Sequence, residues 1–389
     1  MNRPLIITVG IIVVLFMFGV WAFLFMFGAP TDTRDVFSNL GIVDTAERPE
    51  EINLSEKESV NVVLSLNGIP LQQLTVVPVA GFGVATTSSK TILRYVERGT
   101  GHIFEVNLNS GTQTQVSGTT IPRTIDATFS PDLSVVVLTT EEEGRKVLVG
   151  EIPENSETDL QRTLLPGDAQ NISMHDNVDI LFTRNNNEQT IGYTHKVATQ
   201  IETQDFVINI PNLTIVWSDG HIYGYPKPTK YLEGFLYEIK NNTLTPIGPG
   251  AYGLLPFISG DVLAFSYANE GLDEYSSTLY EKETGVAKKI PTLAIPEKCV
   301  ALNNNPIIWC GAEILSQNSD YVENWYKGIY SSNDSIWLIN TVTQRATQIE
   351  NPTQSVGRSI DITDMIIGPN IEKLFFINKT DSTLWMYTL

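Results

Sequence analysis

The residue types that most often bind metals or act as nucleophiles are scarce in this 389-residue chain, which has two cysteines and four histidines. Cys299 and Cys310 do not form a C-x-x-C pair, and no H-E-x-x-H or G-x-S-x-G motif is present. The usual zinc sites and the serine-hydrolase elbow depend on such spacings, because the spacing places the side chains together. The sequence therefore predicts no metal and no cofactor.

Basic residues are also few, since 25 lysines and arginines stand against 44 aspartates and glutamates, a formal net charge of −19. A field of that sign repels the phosphates of nucleic acids, so no nucleic-acid partner is expected. It also disfavours docking onto an anionic membrane surface. The charge suits a soluble domain outside the cytoplasm.

One long apolar segment, Leu5–Phe27, lies at the N-terminus and contains no charged residue. As a helix it would be about 35 Å long, enough to cross the hydrocarbon core of a bilayer. A cleavable signal peptide has a shorter apolar region and a small-residue cleavage site, which Gly28-Ala29-Pro30 matches poorly. We therefore predict a single transmembrane anchor over residues 1–28, with a long signal sequence cleaved near Ala29 as the alternative.

The few basic residues near this segment predict its orientation. Arg3 and the α-amino group directly precede it, whereas Arg34 and Arg48 follow at a greater distance. The positive-inside rule then places the N-terminus in the cytoplasm and the rest of the chain outside. The acidic segment 29–58, which contains Pro30 and Pro49, is predicted to be a stalk.

The rest of the chain, 59–389, contains a recurring pair of residues, an aliphatic one followed by a position that is often aromatic. The seven pairs are Ile103-Phe104, Val147-Leu148, Ile191-Gly192, Leu236-Tyr237, Leu279-Tyr280, Ile336-Trp337 and Leu384-Trp385. Their typical spacing, roughly 44 residues, is the length of one four-stranded propeller blade. The pattern predicts an all-β, seven-bladed β-propeller with the pair on the third strand of each blade.

Two blades also share a longer motif. The segment from Phe129 to Leu138 contains Ser-Pro-Asp, and the segment from Ile367 to Phe376 contains Gly-Pro-Asn at the same place. This motif resembles the repeat of TolB-type propellers, although Leu133 and Ile371 stand where that repeat usually has glycine. Three short segments, Pro296–Cys299, Tyr326–Gly328 and Ser335–Trp337, resemble membrane-anchored propellers of small-genome bacteria. Both resemblances imply a WD-like propeller fold and carry over no chemistry.

The chain ends at Leu389, inside the third strand of the last blade, so a fourth strand is missing there. An N-terminal segment should supply it and close the ring, because a bare sheet edge invites aggregation. Val60–Leu66 and Leu71–Val77 are the candidates. In either case the stalk would enter on the face formed by the A–B and C–D loops, and the D–A and B–C loops would point away from the membrane.

The B–C loops of blades 4, 5 and 6 are longer than the others, and blade 6 carries an insertion around Gly311–Asp334. Long loops on a rigid scaffold often carry function, and exposed aromatic side chains anchor proteins or sugars. The predicted binding residues are Tyr225, Tyr231, Tyr267, Tyr275, Tyr321, Trp325, Tyr326 and Tyr330. The alternative is that these side chains fold inward and fill their own loops.

Cys299 and Cys310 flank the turn at Asn303–Asn305 almost symmetrically, which places them opposite each other across a hairpin. That position predicts a structural disulfide in an oxidising compartment, and two buried thiols are the alternative.

Together these features predict a membrane-anchored binding or scaffolding propeller whose partner is a protein or an envelope polymer. The alternative is an extracytoplasmic hydrolase or lyase, with carboxylates such as Asp126, Asp361 and Asp364 lining the central channel. The two classes differ in what must converge, since an enzyme needs several acidic or histidine side chains within hydrogen-bond reach of one another. A structural spacer with no specific ligand is the third possibility.

Overall fold

The structure is a computed structural model that describes residues 62–63, 69–86, 90–153, 159–174, 176–260, 262–269, 274–291, 295–303, 305–313 and 320–389. The predicted anchor 1–28 and the predicted stalk 29–58 lie outside these residues. Within the described ranges, no helix has the length and apolar character needed to cross a membrane.

Seven antiparallel sheets form the fold. The first strand of each blade contacts the first strand of a neighbouring blade, so the first strands surround the axis. The strands of blades 1 to 3 are β3 Val79–Thr86, β4 Thr91–Glu97, β5 Ile103–Asn107 and β6 Thr112–Ser117; β7 Thr124–Phe129, β8 Val135–Thr140, β9 Lys146–Glu151 and β10 Gln161–Leu165; and β11 Gln170–Met174, β12 Asp179–Asn185, β13 Thr190–Lys196 and β14 Ile201–Ile208. Those of blades 4 and 5 are β15 Leu213–Ser218, β16 His221–Pro226, β17 Glu233–Lys240 and β18 Thr243–Tyr252; and β19 Leu255–Ser259, β20 Val262–Ala268, β21 Tyr275–Glu281 and β22 Val286–Ile290. Those of blades 6 and 7 are β23 Cys299–Ala301, β24 Ile307–Ala312, β25 Ser335–Asn340 and β26 Arg345–Glu350; and β27 Ile362–Ile367, β28 Lys373–Asn378 and β29 Thr383–Thr388. The all-β, seven-bladed propeller predicted from the repeat is confirmed.

The fourth strand of blade 7 comes from the N-terminal side of the domain, as predicted. Strand β2, Leu71–Gln73, pairs antiparallel with β29, and Leu71 lies opposite Tyr387. The other candidate segment contributes β1, Val62–Val63, which instead pairs with β6 and makes blade 1 five-stranded. The ring is thus closed by hydrogen bonds between the two ends of the propeller domain.

Each of the seven recurring pairs lies on the third strand of its blade, and in five of them the aliphatic member packs into the core. Ile103, Val147, Leu236, Ile336 and Leu384 have no exposed surface. The one glycine in the second position, Gly192, has the ring of Phe206 directly across the strand pair. A Cβ at Gly192 would come within 2.1 Å of that ring, so the aromatic side chain of the fourth strand fills the space.

The core is divided among the interfaces between neighbouring blades. Between blades 1 and 2, for example, Ile92, Val96 and Ile103 pack against Val136 and Leu138. All six residues of β8 are buried, which explains its continuous apolar start, Val135–Leu138. A blade therefore needs apolar residues on both faces of its sheet.

The D–A and B–C loops carry the helical segments of the propeller. The B–C loop of blade 6 begins after Ala312, so Gly311 and Ala312 belong to β24 and not to the predicted insertion. Helix α1, Asp320–Tyr326, lies in this loop. A 3-10 turn, Pro296–Lys298, precedes β23, and the short helix α2, Pro352–Ser355, precedes β27.

The predicted disulfide is present. Cys299 and Cys310 are register partners on β23 and β24, with their Cα atoms 4.1 Å apart. Cys310 is fully buried between blades 5 and 6. The bond therefore fixes the innermost hairpin of blade 6 next to the 3-10 turn.

Candidate functional site

The eight predicted aromatic residues occupy different environments. Tyr231 and Tyr326 are the exposed ones, at 66% and 42% of their surface. Tyr267 and Tyr330 are half-buried, whereas Tyr225, Tyr275, Tyr321 and Trp325 are buried. Inward packing, the alternative considered from the sequence, thus describes half of the set.

Helix α1 is held in place by its buried face. Tyr321, Val322 and Trp325 pack with Leu255, Ala268, Tyr275 and Ile295 of blades 5 and 6. The ring of Tyr321 also meets that of Tyr330 edge-on at 5.3 Å. The outer face of α1 is consequently presented in a fixed orientation, with Tyr326 and Lys327 towards solvent.

A buried ion network lies beside Trp325. The ammonium group of Lys298, which has no exposed surface, donates hydrogen bonds to Asp334 at 2.6 Å, to Asp361 at 2.7 Å and to Ser332. Asp361 also accepts a hydrogen bond from the indole N–H of Trp325 at 2.7 Å. The network joins the 3-10 turn, the blade 6 loop and the start of β27, and so it ties α1 to three neighbouring elements.

The ammonium group of Lys298 and the other donors to Asp361 outweigh the effect of its burial and lower the pKa of that carboxyl. Asp334 is completely enclosed, and its burial raises the pKa despite the same ammonium group. One Asp334 oxygen has no hydrogen-bond partner among the described residues. Lys298 therefore stabilises two carboxyl groups that would otherwise be buried without a counter-charge.

On its other side, α1 contacts the B–C loop of blade 4. Glu323 accepts hydrogen bonds from the Thr229 hydroxyl at 2.9 Å and from the backbone N–H of Lys230 at 3.1 Å. The side chains of Lys230 and Asp320 form a further ion pair. These contacts connect two of the three loops that the sequence singled out.

A cavity of about 480 Å³ lies between α1, the blade 4 loop and the inner strands. Its wall consists of Thr214, Tyr225, Lys227, Pro228, Thr229, Glu297, Glu323, Tyr326 and Lys327. The volume falls in the usual range for small-molecule or side-chain pockets, roughly 300–1,000 Å³. Two of the predicted aromatic residues, Tyr225 and Tyr326, thus meet at one concave site.

Glu297 is the most unusual group in this cavity. Its side chain reaches solvent inside the cavity although protein surrounds it, and the reduced hydration raises the pKa of its carboxyl. The Tyr326 hydroxyl donates a hydrogen bond to it at 2.7 Å. In the part of the chain that the structure describes, no lysine or arginine forms an ion pair with Glu297, whereas Glu323 is paired with Lys327 at 3.3 Å.

The three carboxylates considered for a central catalytic site separate into two environments. Asp126 on β7 and Asp364 on β27 reach solvent on innermost strands, and reduced hydration together with the charges of Asp126 and Glu297 raises the pKa of Asp364 to about 6. Asp361 does not line the channel, since it is 1% exposed within the Lys298 network. No group of three potential metal ligands occurs in the described ranges.

Sequence reasoning missed Lys298, Glu297, Glu323 and Asp334. Charged residues usually lie on the surface, so the sequence offers no signal that Lys298 is fully buried. Glu297 and Glu323 are distant in sequence and meet only because the blade 6 loop folds back towards blade 4. The one signal available was the insertion itself.

Comparisons with known proteins agree with the fold. No protein-family model matches the chain, and no curated protein matches its sequence. Among solved structures, the chain is similar to an oligogalacturonate lyase from Vibrio parahaemolyticus, with a TM-score of 0.57, 10% identity, and 84% of this chain and 96% of that chain covered. It is also similar to the β-propeller domain of the Trilobed protease from Pyrococcus furiosus, with a TM-score of 0.50, 9% identity, and coverage of 78% and 94%.

A weaker similarity, to TolB from Acinetobacter baumannii, has a TM-score of 0.43 and 13% identity, and covers 66% of this chain and 63% of that chain. Identities this low speak for architecture alone, because unrelated activities share the same fold. The protein is a seven-bladed β-propeller, as the spacing of its recurring residue pair predicted.

Proposed function

We propose that this propeller is a binding module that captures an exposed part of a protein or envelope polymer on the face formed by its D–A and B–C loops. We further propose that the N-terminal segment anchors it in the cytoplasmic membrane, with the N-terminus inside and the propeller outside. The apolar run Leu5–Phe27 supports the anchor, and the disulfide supports an oxidising compartment.

The observation that carries the binding function is the cavity beside α1. It is concave, it is bounded by one exposed and one buried tyrosine, and the α1 wall is fixed by buried contacts. A rigid wall limits the entropy lost on binding, and tyrosine supplies a large contact area with a polar end. These are the properties of a recognition site and need no covalent chemistry.

Crosslinking with mass spectrometry on the native membrane tests this function. Tyr326→Ala is compared with Tyr252→Ala, because the two tyrosines are similarly exposed, at 42% and 49%, and Tyr252 is not part of the cavity wall. We expect a reproducible partner that is lost in Tyr326→Ala and kept in Tyr252→Ala. The same partner in both variants, or none in the native protein, would remove the support for this site.

The membrane arrangement has its own test. Intact cells or spheroplasts are treated with a protease, and membranes are extracted with alkaline carbonate. We expect the protease to cleave the propeller from outside. In membranes that were not treated with protease, we expect the protein to stay with the membrane after carbonate extraction. Protection of the propeller in intact cells, or release by carbonate, would contradict the proposed anchor.

A hydrolase or lyase at the axis is the second candidate, favoured by the carboxyl group of Asp364. A pKa of about 6 is suitable for a general acid near neutral pH, and Asp126 provides a second carboxyl group that acts on it electrostatically. The test is depolymerisation of envelope polysaccharide by the wild type and by Asp364→Asn. Activity that is lost in this variant while partner crosslinks remain would favour the enzyme.

A further inference from the structure

Resting on the proposed binding function, we infer that the cavity recognises a single cationic group, an ammonium or guanidinium carried by the ligand, and that Glu297 is its anchor. Glu297 is a positioning and specificity residue here, since no reaction is involved.

The contacts of Glu297 leave its carboxylate able to bind a ligand. Its carboxylate faces the cavity and accepts one side-chain hydrogen bond, from Tyr326, while the described lysines and arginines leave it without an ion pair. A carboxylate that lacks an ion-pair partner is stabilised when an opposite charge with hydrogen-bond donors arrives. A cationic ligand group would provide both.

The neighbouring carboxylate in the cavity wall holds two loops together. Glu323 is occupied by the Thr229 hydroxyl, the Lys230 backbone N–H and the Lys327 ammonium group, so it holds α1 against the blade 4 loop. Glu297 accepts one side-chain hydrogen bond, from Tyr326, and among the described residues it makes no contact of this kind with the blade 4 loop. Of the two acidic side chains in the cavity wall, it is therefore the one available to a ligand.

Aromatic side chains form part of the cavity wall. Tyr225 and Tyr326 line the same cavity as Glu297, and the face of an aromatic ring attracts cations. The protein already uses such pairs near this site. Lys298 and Lys379 lie 5.0 Å and 3.5 Å from the centre of the Trp325 ring, and Lys230 lies 5.2 Å from that of Tyr231. Aromatic rings are a common means of binding an alkylammonium group, and a carboxylate in the same cavity adds the opposite charge.

The lysines at the edge of the cavity limit the kind of cationic ligand that can bind. Lys227 and Lys327 are both exposed at the cavity wall. They would repel a polycation, so the favoured ligand has one isolated cationic group on a neutral or acidic chain. A lysine side chain of a protein and an amino sugar of an envelope polymer share this chemistry.

The experiment is a ligand-observed NMR titration of the full-length protein in detergent. The probes are a capped glycine–lysine–glycine tripeptide, the same peptide with its lysine acetylated, a glucosamine trimer and an N-acetylglucosamine trimer. The protein variants are Glu297→Gln and, as a matched control on the opposite face, Glu283→Gln in the exposed turn after β21.

We expect saturable binding of at least one cationic probe, abolished by acetylation of that probe. Loss of one charge-assisted contact should weaken binding by at least about tenfold in Glu297→Gln, and Glu283→Gln should bind like the wild type. Binding of the tripeptide alone would assign the ligand to proteins, and binding of the glucosamine trimer alone would assign it to a polymer.

If neither acetylation of the probe nor Glu297→Gln changes the binding affinity, the inference is wrong. It is also wrong if no cationic probe binds. The proposed function can be judged separately through the native crosslinks. Crosslinks that depend on Tyr326 but persist in Glu297→Gln would leave the binding function standing and refute cation recognition. Crosslinks that are absent from the native protein would count against the binding function itself.

Discussion

Replacing Lys298 by methionine tests the most demanding contact of the site. Lys298 is fully buried, and its ammonium group lies 2.6 Å from an Asp334 oxygen and 2.7 Å from an Asp361 oxygen. Methionine keeps most of the length of the side chain and removes only the charge and the donors. The variant therefore leaves two buried carboxyl groups without their counter-charge.

Breaking a buried ion pair by removing one partner typically costs about 3–5 kcal/mol. The matched control is Lys282→Met, because Lys282 forms an exposed ion pair with Glu238 at 3.0 Å and is itself 42% exposed. An exposed pair of this kind contributes about 0–1 kcal/mol. We thus expect Lys298→Met to lower the free energy of unfolding several times more than Lys282→Met does.

The assay is urea unfolding at neutral pH, followed by tryptophan fluorescence. Trp325 donates to Asp361, so the variant should also change the emission of the folded state. Adding Asp334→Asn to Lys298→Met should recover part of the loss, because it removes one of the two uncompensated charges. Equal losses for Lys298→Met and Lys282→Met would refute the view that the network secures α1.

The contribution of Asp361 to stability depends on pH. Lys298 and the hydrogen bonds to Asp361 lower its folded pKa, so the stability from Asp361 is present above the unfolded pKa. It is lost as the pH falls through the lowered folded pKa. The difference between wild type and Lys298→Met should accordingly shrink in acid, and a difference that grew there would contradict the assignment.

Three further predictions concern the rest of the molecule. Replacing both Cys299 and Cys310 by alanine should reduce the free energy of unfolding by about 2–3 kcal/mol, the usual effect of closing a loop of this size, and reductant should lower the thermal midpoint of the wild type but not of the variant. Asp364→Asn should raise the thermal midpoint at pH 7, because a carboxyl pKa that is raised in the folded state means that ionisation opposes folding. In the wild type the midpoint should fall as the pH rises from the ordinary pKa of 3.8 to the raised value of about 6, and the variant should show a smaller fall. The same pH profile in both proteins would show that the pKa of Asp364 is not raised by folding. Affinity for a cationic probe should fall as the pH drops through the raised pKa of Glu297. The surroundings of Glu297 include the Tyr326 hydroxyl, the more distant charges of Lys298 and Lys379, and the carboxyl group of Asp364. A Glu297→Gln titration without this inflection is the control.

The repeat was readable from the sequence because every blade must solve the same packing problem. The third strand of a blade packs against its neighbours, so an aliphatic residue recurs there and is fully buried in five blades, as at Ile103 and Leu384. Closure by an N-terminal strand was predictable, but the sequence left two candidate segments, and the structure shows that Leu71–Gln73 is the one that pairs with the last strand. The disulfide followed from the symmetry of Cys299 and Cys310 about one hairpin turn.

The site was predictable only in outline. Length and aromatic content marked the blade 6 insertion, but they could not separate Trp325, which is buried, from Tyr326, which is exposed. Both residues are adjacent in the sequence and have similar character. Their roles differ because consecutive residues on a helix point to different sides, and only the position of α1 decides which side meets blade 5.

The sequence was enough to predict the number of blades, two candidate segments for the closing strand and a disulfide between Cys299 and Cys310, because these depend on patterns that recur from blade to blade or lie within one hairpin. The folded structure was needed to show that Lys298 is buried among carboxylates, that Glu323 is engaged in hydrogen bonds and an ion pair, and that Glu297 faces a cavity. These three states depend on contacts between segments that are far apart in the chain. The hydration and the electrostatic environment of these side chains depend on the residues around them, and the sequence alone does not show which residues those are.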